Sequence, residues 1–169
     1  GLFAGDGYRC NDGFRHYIVE FHLNPKRDLK IASKLRDLLK RINLNPSTII
    51  VHGSLRIRVL SAKLFMYIPK IRESLGTKSD KFLVGYISGL LDSDGHVVKG
   101  DMVISNGNKQ LIDEAFSILQ QFRIYTRIWP SFCTNPRNKM KKSLVWRLRV
   151  GTKFRTMQNL SEKIARAYY

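Results

Sequence analysis

Ile87-Ser88-Gly89-Leu90-Leu91-Asp92-Ser93-Asp94-Gly95 is the run on which the fold of this chain turns. Gly85, Gly89 and Ser93 fall four apart, so a helix through the run carries small side chains along one face. Gly1 and Gly5 repeat that spacing within Gly1-Leu2-Phe3-Ala4-Gly5-Asp6-Gly7. Faces of this kind let two helix backbones approach closely, so the two runs are expected to pack as an interface between halves. Asp6 and Asp94 would then lie side by side at helix C-termini, each followed by a glycine suited to a left-handed exit. Carbonyls at a helix C-terminus carry partial negative charge, and two carboxylates added there make a site for a hard cation such as Mg2+. The competing reading is that each Asp-Gly pair only caps and turns its helix. Asp92 has Ala4 as its counterpart, so a capping or interfacial hydrogen bond suits it better than metal ligation.

The rest of the chain is duplicated around these runs. Leu55-Arg56-Ile57-Arg58-Val59 is echoed 91 residues later by Trp146-Arg147-Leu148-Arg149-Val150, and the Asp-Gly pairs are 88 residues apart. In the first copy, strands are expected at Tyr8–Cys10 and Arg15–Leu23, joined across Asn11-Asp12-Gly13. A helix from Arg27 to Ile42 turns Ala32, Leu35, Leu38, Leu39 and Ile42 to one face. Strands Thr48–His52 and Leu55–Leu60 then turn at Gly53-Ser54, before a helix from Ser61 to Ile71. The second copy gives strands 96–99 and 101–105, then a helix with Leu111, Ile112, Ala115, Phe116, Leu119 and Phe122 inward. Strands near 123–129 and 144–150 follow, split by a loop from Pro130 to Ser143, and a helix closes the chain. Each half, 1–78 and 79–169, reads αββαββα, an α+β fold with antiparallel sheets and helices on one side. Gly76-Thr77-Lys78-Ser79-Asp80 is the only plausible joint.

Composition sets the partners. The 169 residues carry 30 Lys+Arg against 13 Asp+Glu, a net charge of +17 shared between the halves as +9 and +8. With 43% apolar residues the chain is too apolar for a disordered basic tail, and it can bury ~70% of its unfolded surface. Such a charge calls for a polyanionic partner, because self-repulsion destabilises a compact chain. Nucleic acid is favoured over a membrane surface. Cys10 and Cys133 exclude a disulfide framework and give no zinc spacing, so a reducing compartment is the default. The longest apolar run, Phe82 to Leu91, stops at Asp92, far short of a bilayer span. Gly1-Leu2-Phe3 shows no basic segment ahead of an apolar one, so no signal peptide is expected, and the lack of an initial Met is consistent with trimming or processing.

Position for position, residues 87–95 resemble the signature of the LAGLIDADG homing endonucleases, and Gly1–Gly7 matches its last seven positions. Two motifs in register with a repeated architecture are similar to the single-chain, two-motif branch of that family, whose archaeal members include intron-encoded ones. The resemblance implies a monomer that cuts both strands of a long asymmetric double-stranded DNA site by metal-activated water, leaving short 3′ overhangs. It also implies Mg2+ as cofactor, with Mn2+ substituting and Ca2+ supporting binding without cleavage. Asp6 and Asp94 would be the metal ligands. Lys63 and Lys153 would steady the attacking water or the transition-state charge, and are otherwise exposed lysines at a helix start. His22 and Asn106, at the ends of the second strands, would orient solvent near the metals. The location implied is the nucleoid of a prokaryotic cytoplasm or an organelle. RNA maturation on the intron's own RNA, or DNA binding without cleavage, are the alternatives on the same scaffold.

Antiparallel sheets with one wet face fit a major groove. Alternation puts Leu55, Ile57 and Val59 inside and Arg56 and Arg58 outside, and likewise Arg147 and Arg149 opposite Trp146, Leu148 and Val150. His16, Glu20 and His22 are expected outward opposite Tyr17, Val19 and Phe21, and Arg127 and Trp129 outward beside Ile128. Arg9 and Arg15 complete the expected DNA face on the first hairpin. Arginines two apart suit either guanine edges or phosphates. Arg137, Lys139, Lys141 and Lys142, without a nearby acid, either grip phosphate or form a basic loop without specificity.

Overall fold

Alternating apolar residues make the strands of this chain, and apolar residues at three- and four-residue steps make its helices. The computed structural model describes residues 1–13, 16–98, 101–135 and 138–151, with backbone alone at 135 and 138–141. The first copy runs α1 (Leu2–Asp6), β1 (Gly7–Asn11), β2 (Tyr17–Leu23), α2 (Leu29–Arg41), β3 (Ser47–Val51), β4 (Ser54–Leu60) and α3 (Ala62–Glu73). A 3-10 turn, Leu75–Thr77, leads to α4 (Asp80–Asp94). There follow β5 (Gly95–Val98), β6 (Asp101–Asn106), α5 (Lys109–Gln121), β7 (Thr126–Asn135) and β8 (Asn138–Val150). The expected closing helix lies outside the described residues.

The fold is α+β, with two four-stranded antiparallel sheets of the same order, β1-β2-β4-β3 and β5-β6-β8-β7. Two units divide after Ser79. One holds Asp6–Ser79 with Leu2; the other holds the chain from Asp80 together with Gly1 and Phe3–Gly5. The start of the chain therefore contributes to the second unit as well as the first, which a simple division at 78/79 does not anticipate.

In the first unit, Val19, Phe21 and Leu23 of β2 and Leu55, Ile57 and Val59 of β4 are buried, as are Ile31, Ala32, Leu35 and Leu39 of α2. Leu38 and Ile42, expected inside, are 57% and 56% exposed. Leu38 lies on the flank of the apolar stripe, and Ile42 falls past the last helical turn, where Leu44 N–H already closes onto Leu39 O. Strands β3 and β4 turn at His52-Gly53, one residue earlier than expected; φ is +48° and +76°, the pair of positive values that a two-residue primed hairpin turn demands.

In the second unit, Met102 and Ile104 of β6, Leu148 and Val150 of β8, and Leu111, Ile112, Ala115, Ile118 and Leu119 of α5 are buried. Leu83, Val84, Ile87, Leu90 and Leu91 of α4 join them. Phe116 and Phe122, expected inward, are half-buried, and Ile118 takes an inner place instead. The expected loop from Pro130 to Ser143 is a correction of larger size. It is mostly strand: β7 and β8 pair from Thr126↔Val150 as far as Thr134↔Lys142. Pro130 is tolerated because β7 is an edge strand, where a missing N–H breaks no inner ladder.

Candidate functional site

The expected site residues fall at two helix ends and on two sheet faces. In the second unit, the glycines at the start of the chain lie against α4. A Cβ added to Gly1 would come 2.8 Å from Gly89 Cα, and one added to Gly5 would come 2.6 Å from Ser93 Cβ and 2.7 Å from Asp94 Oδ2. No side chain fits either place, so the small-residue spacing has its steric cause. Gly85 is a correction, since it is exposed and a Cβ there would meet nothing within 4 Å. The left-handed exit expected at both Asp-Gly pairs is a second correction. Among the described residues only Gly13 and Gly53 are glycines with positive φ. Gly95 is required for space instead, because its Cβ would come 2.7 Å from Leu91 Cα.

Asp94 ends α4 half-buried, and Asn106 Nδ2 donates to its Oδ2 at 2.8 Å. Ser93 Oγ donates to the carbonyls of Gly89 and Leu90 at 3.1 Å, which satisfies the hydroxyl of a residue that is 8% exposed. Asp6 ends α1, also half-buried, and belongs to the first unit. Asp92 is half-buried within α4. A carboxylate at a helix C-terminus that accepts from a neutral amide is a hard-oxygen donor suited to Mg2+. Among the described residues no group of three or more His, Cys, Asp or Glu forms a ready metal cage.

Register corrects the pairing of His22 with Asn106. Leu23 faces Leu55 across the first sheet and Asn106 faces Trp146 across the second, whereas His22 faces Arg56 and Ser105 faces Arg147. His22 thus shares the arginine face, and Asn106 lies on the opposite face with the helices. His22 Nε2 is 3.1 Å from Glu20 Oε2.

On the first sheet, Arg58 lies directly across from Glu20. Glu20 is on the expected face, but only 2% exposed rather than open to a ligand. Arg58 Nε and Nη2 both reach Glu20 Oε1 at 2.6 Å, and Arg56 Nη1 reaches Oε2 at 3.4 Å. Burial alone would raise the Glu20 carboxyl; hydrogen bonds from Arg58 and His22, with the charges of Arg58 and Arg56, outweigh it and hold it below its ordinary range. Arg9 is folded onto its own unit, donating to Phe65 O at 3.0 Å with its guanidinium 4.9 Å from the Phe65 ring. Exposed His16 pairs with Asp12 at 2.8 Å, and Lys63 is exposed in the first turn of α3. Arg15 lies outside the described residues.

On the second sheet, exposed Arg127 lies across from Arg149, and half-buried Trp129 across from Arg147. Arg149 Nη2 meets Asp101 Oδ1 at 2.8 Å. The buried Nε of Arg147 and the buried hydroxyl of Ser105 have no acceptor or donor among the described residues. Ser105 and Asp101 belong to this face and were not among the expected site residues; the alternation of β6 around Met102 and Ile104 was the signal for Ser105. Lys142 is exposed on the β7–β8 ribbon, Lys139 and Lys141 lie along β8, and Arg137 and Lys153 lie outside the described residues.

Residues 81–157 match a family profile described as a LAGLIDADG-like domain. Among solved structures, the chain is similar to I-DmoI in complex with DNA and Ca, at TM-score 0.73 and 20% identity, over 99% of this chain and 94% of that one. Mesophilic variants of the homing endonuclease I-DmoI give TM-score 0.71 at 21% identity over 92% and 87% of the two chains. Full-length DUF199/WhiA from Thermatoga maritima gives TM-score 0.64 at 15% identity, covering 98% of this chain and 55% of that one. An uncharacterized protein of Methanocaldococcus jannaschii is 21% identical over 136 residues, 76% of this chain; the chain spans about half, 48%, of that relative's length.

Proposed function

We propose, from the match of residues 81–157 to a LAGLIDADG-like domain and a fold like that of I-DmoI, that the chain is a site-specific homing endonuclease acting on double-stranded DNA. The observation that carries this reading is the Asp94 carboxylate at the end of α4, with the Asn106 amide on one oxygen and the backbone of Gly5 packed so close that no side chain intrudes. Asp94, and Asp6 as its counterpart in the other motif, would hold divalent metal. A bound divalent ion, Mg2+ or Mn2+, would supply Lewis acidity toward the phosphodiester and the attacking water. Asn106 orients the Asp94 carboxylate by donating to it. Lys63 and Lys153 bring positive charge to the phosphate, a role a lysine fills as a point cation. The arginines of the two sheet faces and the basic ribbon bind the duplex. Hydrolysis of both strands leaves short 3′ overhangs, and the protein acts as a monomer.

The test begins with duplexes selected from a randomised library in Ca2+, cloned into a supercoiled plasmid. Linearisation in Mg2+ but not in Ca2+ is the expected result. Asp94→Asn and Asp6→Asn should suppress cleavage while keeping affinity within about tenfold, ~1.4 kcal/mol. Parental cleavage rates in either variant would overturn the metal assignment. Binding without cutting would leave a DNA-binding scaffold, and preference for the chain's own intron RNA would point to a maturase.

A further inference from the structure

The two sheet faces treat their arginines differently, and the difference comes down to one buried carboxylate. By register, Arg58 on β4 corresponds to Arg149 on β8, and Glu20 on β2 corresponds to Val103 on β6. The first sheet therefore has an acid directly beneath its arginine pair, and the second has a valine that is 2% exposed. Arg149 turns instead to Asp101, near the strand's start, and Arg147 has no acid among the described residues.

The contact with Glu20 is directional. Its Oε1 occupies the side edge of the Arg58 guanidinium, between Nε and Nη2. The end edge, Nη1 with the outer hydrogen of Nη2, has no protein acceptor among the described residues. Two parallel donors on a fixed plane are what the O6 and N7 acceptors of a guanine require. Glu20 Oε2 also accepts from Arg56 Nη1 and lies 3.1 Å from His22 Nε2, so one carboxylate ties three side chains of the face. With two arginines against one carboxylate, the cluster remains cationic toward a polyanion.

We propose that Glu20 is a positioning and specificity-determining residue: it fixes the plane of Arg58 through two nitrogens and draws Arg56 toward it, so that the first sheet reads guanine, while on the second sheet Arg149 is held through one nitrogen by Asp101 and Arg147 by no acid among the described residues. This rests on the DNA-binding reading above. An arginine already held in place loses less side-chain entropy on binding, and it rejects a base whose acceptors do not meet its plane.

The experiment is a binding-site selection from a randomised duplex library in Ca2+, read position by position for the parent chain, Glu20→Gln and Arg58→Lys. Glu20→Gln should lose discrimination about tenfold at a cluster of positions confined to one half-site. Its affinity for a random duplex should hold or rise, since a negative charge has been removed. Arg58→Lys keeps the charge but lacks the fork, and should lose discrimination at the same positions, which keeps the test valid if Glu20→Gln folds poorly. Unchanged discrimination in both variants, or equal losses over both half-sites, would overturn the assignment. A parent chain that enriches no sequence at all would instead remove the DNA reading on which it rests.

Discussion

Gly5 is the residue where space and chemistry meet. A methyl group there would fall within 2.7 Å of Asp94 Oδ2 and within contact of the Ser93 side chain, so one of them must move. Gly5→Ala is therefore expected to destabilise the second unit by about 1–3 kcal/mol, a typical cost of overpacking, and to displace the proposed metal ligand. Thermal unfolding and the Mg2+ dependence of cleavage check both, and an unchanged midpoint would refute the steric account. Glu20 makes a second prediction. Its carboxyl is held below the ordinary value of 4.5, so it contributes stability above that value which is lost as pH falls through its folded value. As pH falls below about 4.5 the parent should lose stability more steeply than Glu20→Gln does. Parallel pH profiles of the unfolding midpoint would contradict this. None of the Glu20 contacts could be read along the sequence. Alternation showed which face the carboxylate takes, but its burial depends on which β4 residue lies across from it.

Elements with strong local periodicity were the legible ones. Leu55, Ile57 and Val59 announce β4 because every second residue is apolar, and all three are buried. The β7–β8 ribbon was hidden because Pro130 reads as a breaker and the next five residues, Phe132 apart, are small or polar. Its exposed Phe132 and Leu144 face each other across the ribbon, a pairing that stabilises strands without any core. The proposed metal ligands, Asp6 and Asp94, stand out in the sequence beside the motif's glycines; the Asn106 donor was legible in kind but not in partner, since the helix face and the arginine face differ by a single residue along β6. Local caps carry their own prediction. Ser61 Oγ accepts from Leu64 N–H at 3.1 Å at the start of α3. Ser61→Ala should cost roughly 1 kcal/mol, measured by denaturant unfolding, without altering DNA affinity. A loss of affinity would mean that α3 is more than scaffold.

At the scale of the molecule, a net charge of +17 makes salt the governing variable. Affinity for duplex DNA should fall linearly on a log-log plot against salt, by about 0.9 in slope for each phosphate neutralised. Lys142→Ala is expected to reduce that slope by about 1, uniformly over sequences, whereas Arg147→Ala should cost ~1–3 kcal/mol of discrimination if it reads a base. A uniform loss for Arg147→Ala would make it a phosphate contact only. Among the described residues no helix is long and apolar enough to cross a membrane. The placing of Gly1 and Phe3–Gly5 in the second unit has a consequence for biosynthesis. Gly5 leaves the ribosome eighty-eight residues ahead of Ser93, the residue it lies against. All four strands of the first unit, the last ending at Leu60, are therefore translated before the α4 residues against which Gly5 lies, so the seating of Phe3–Gly5 has to follow their synthesis.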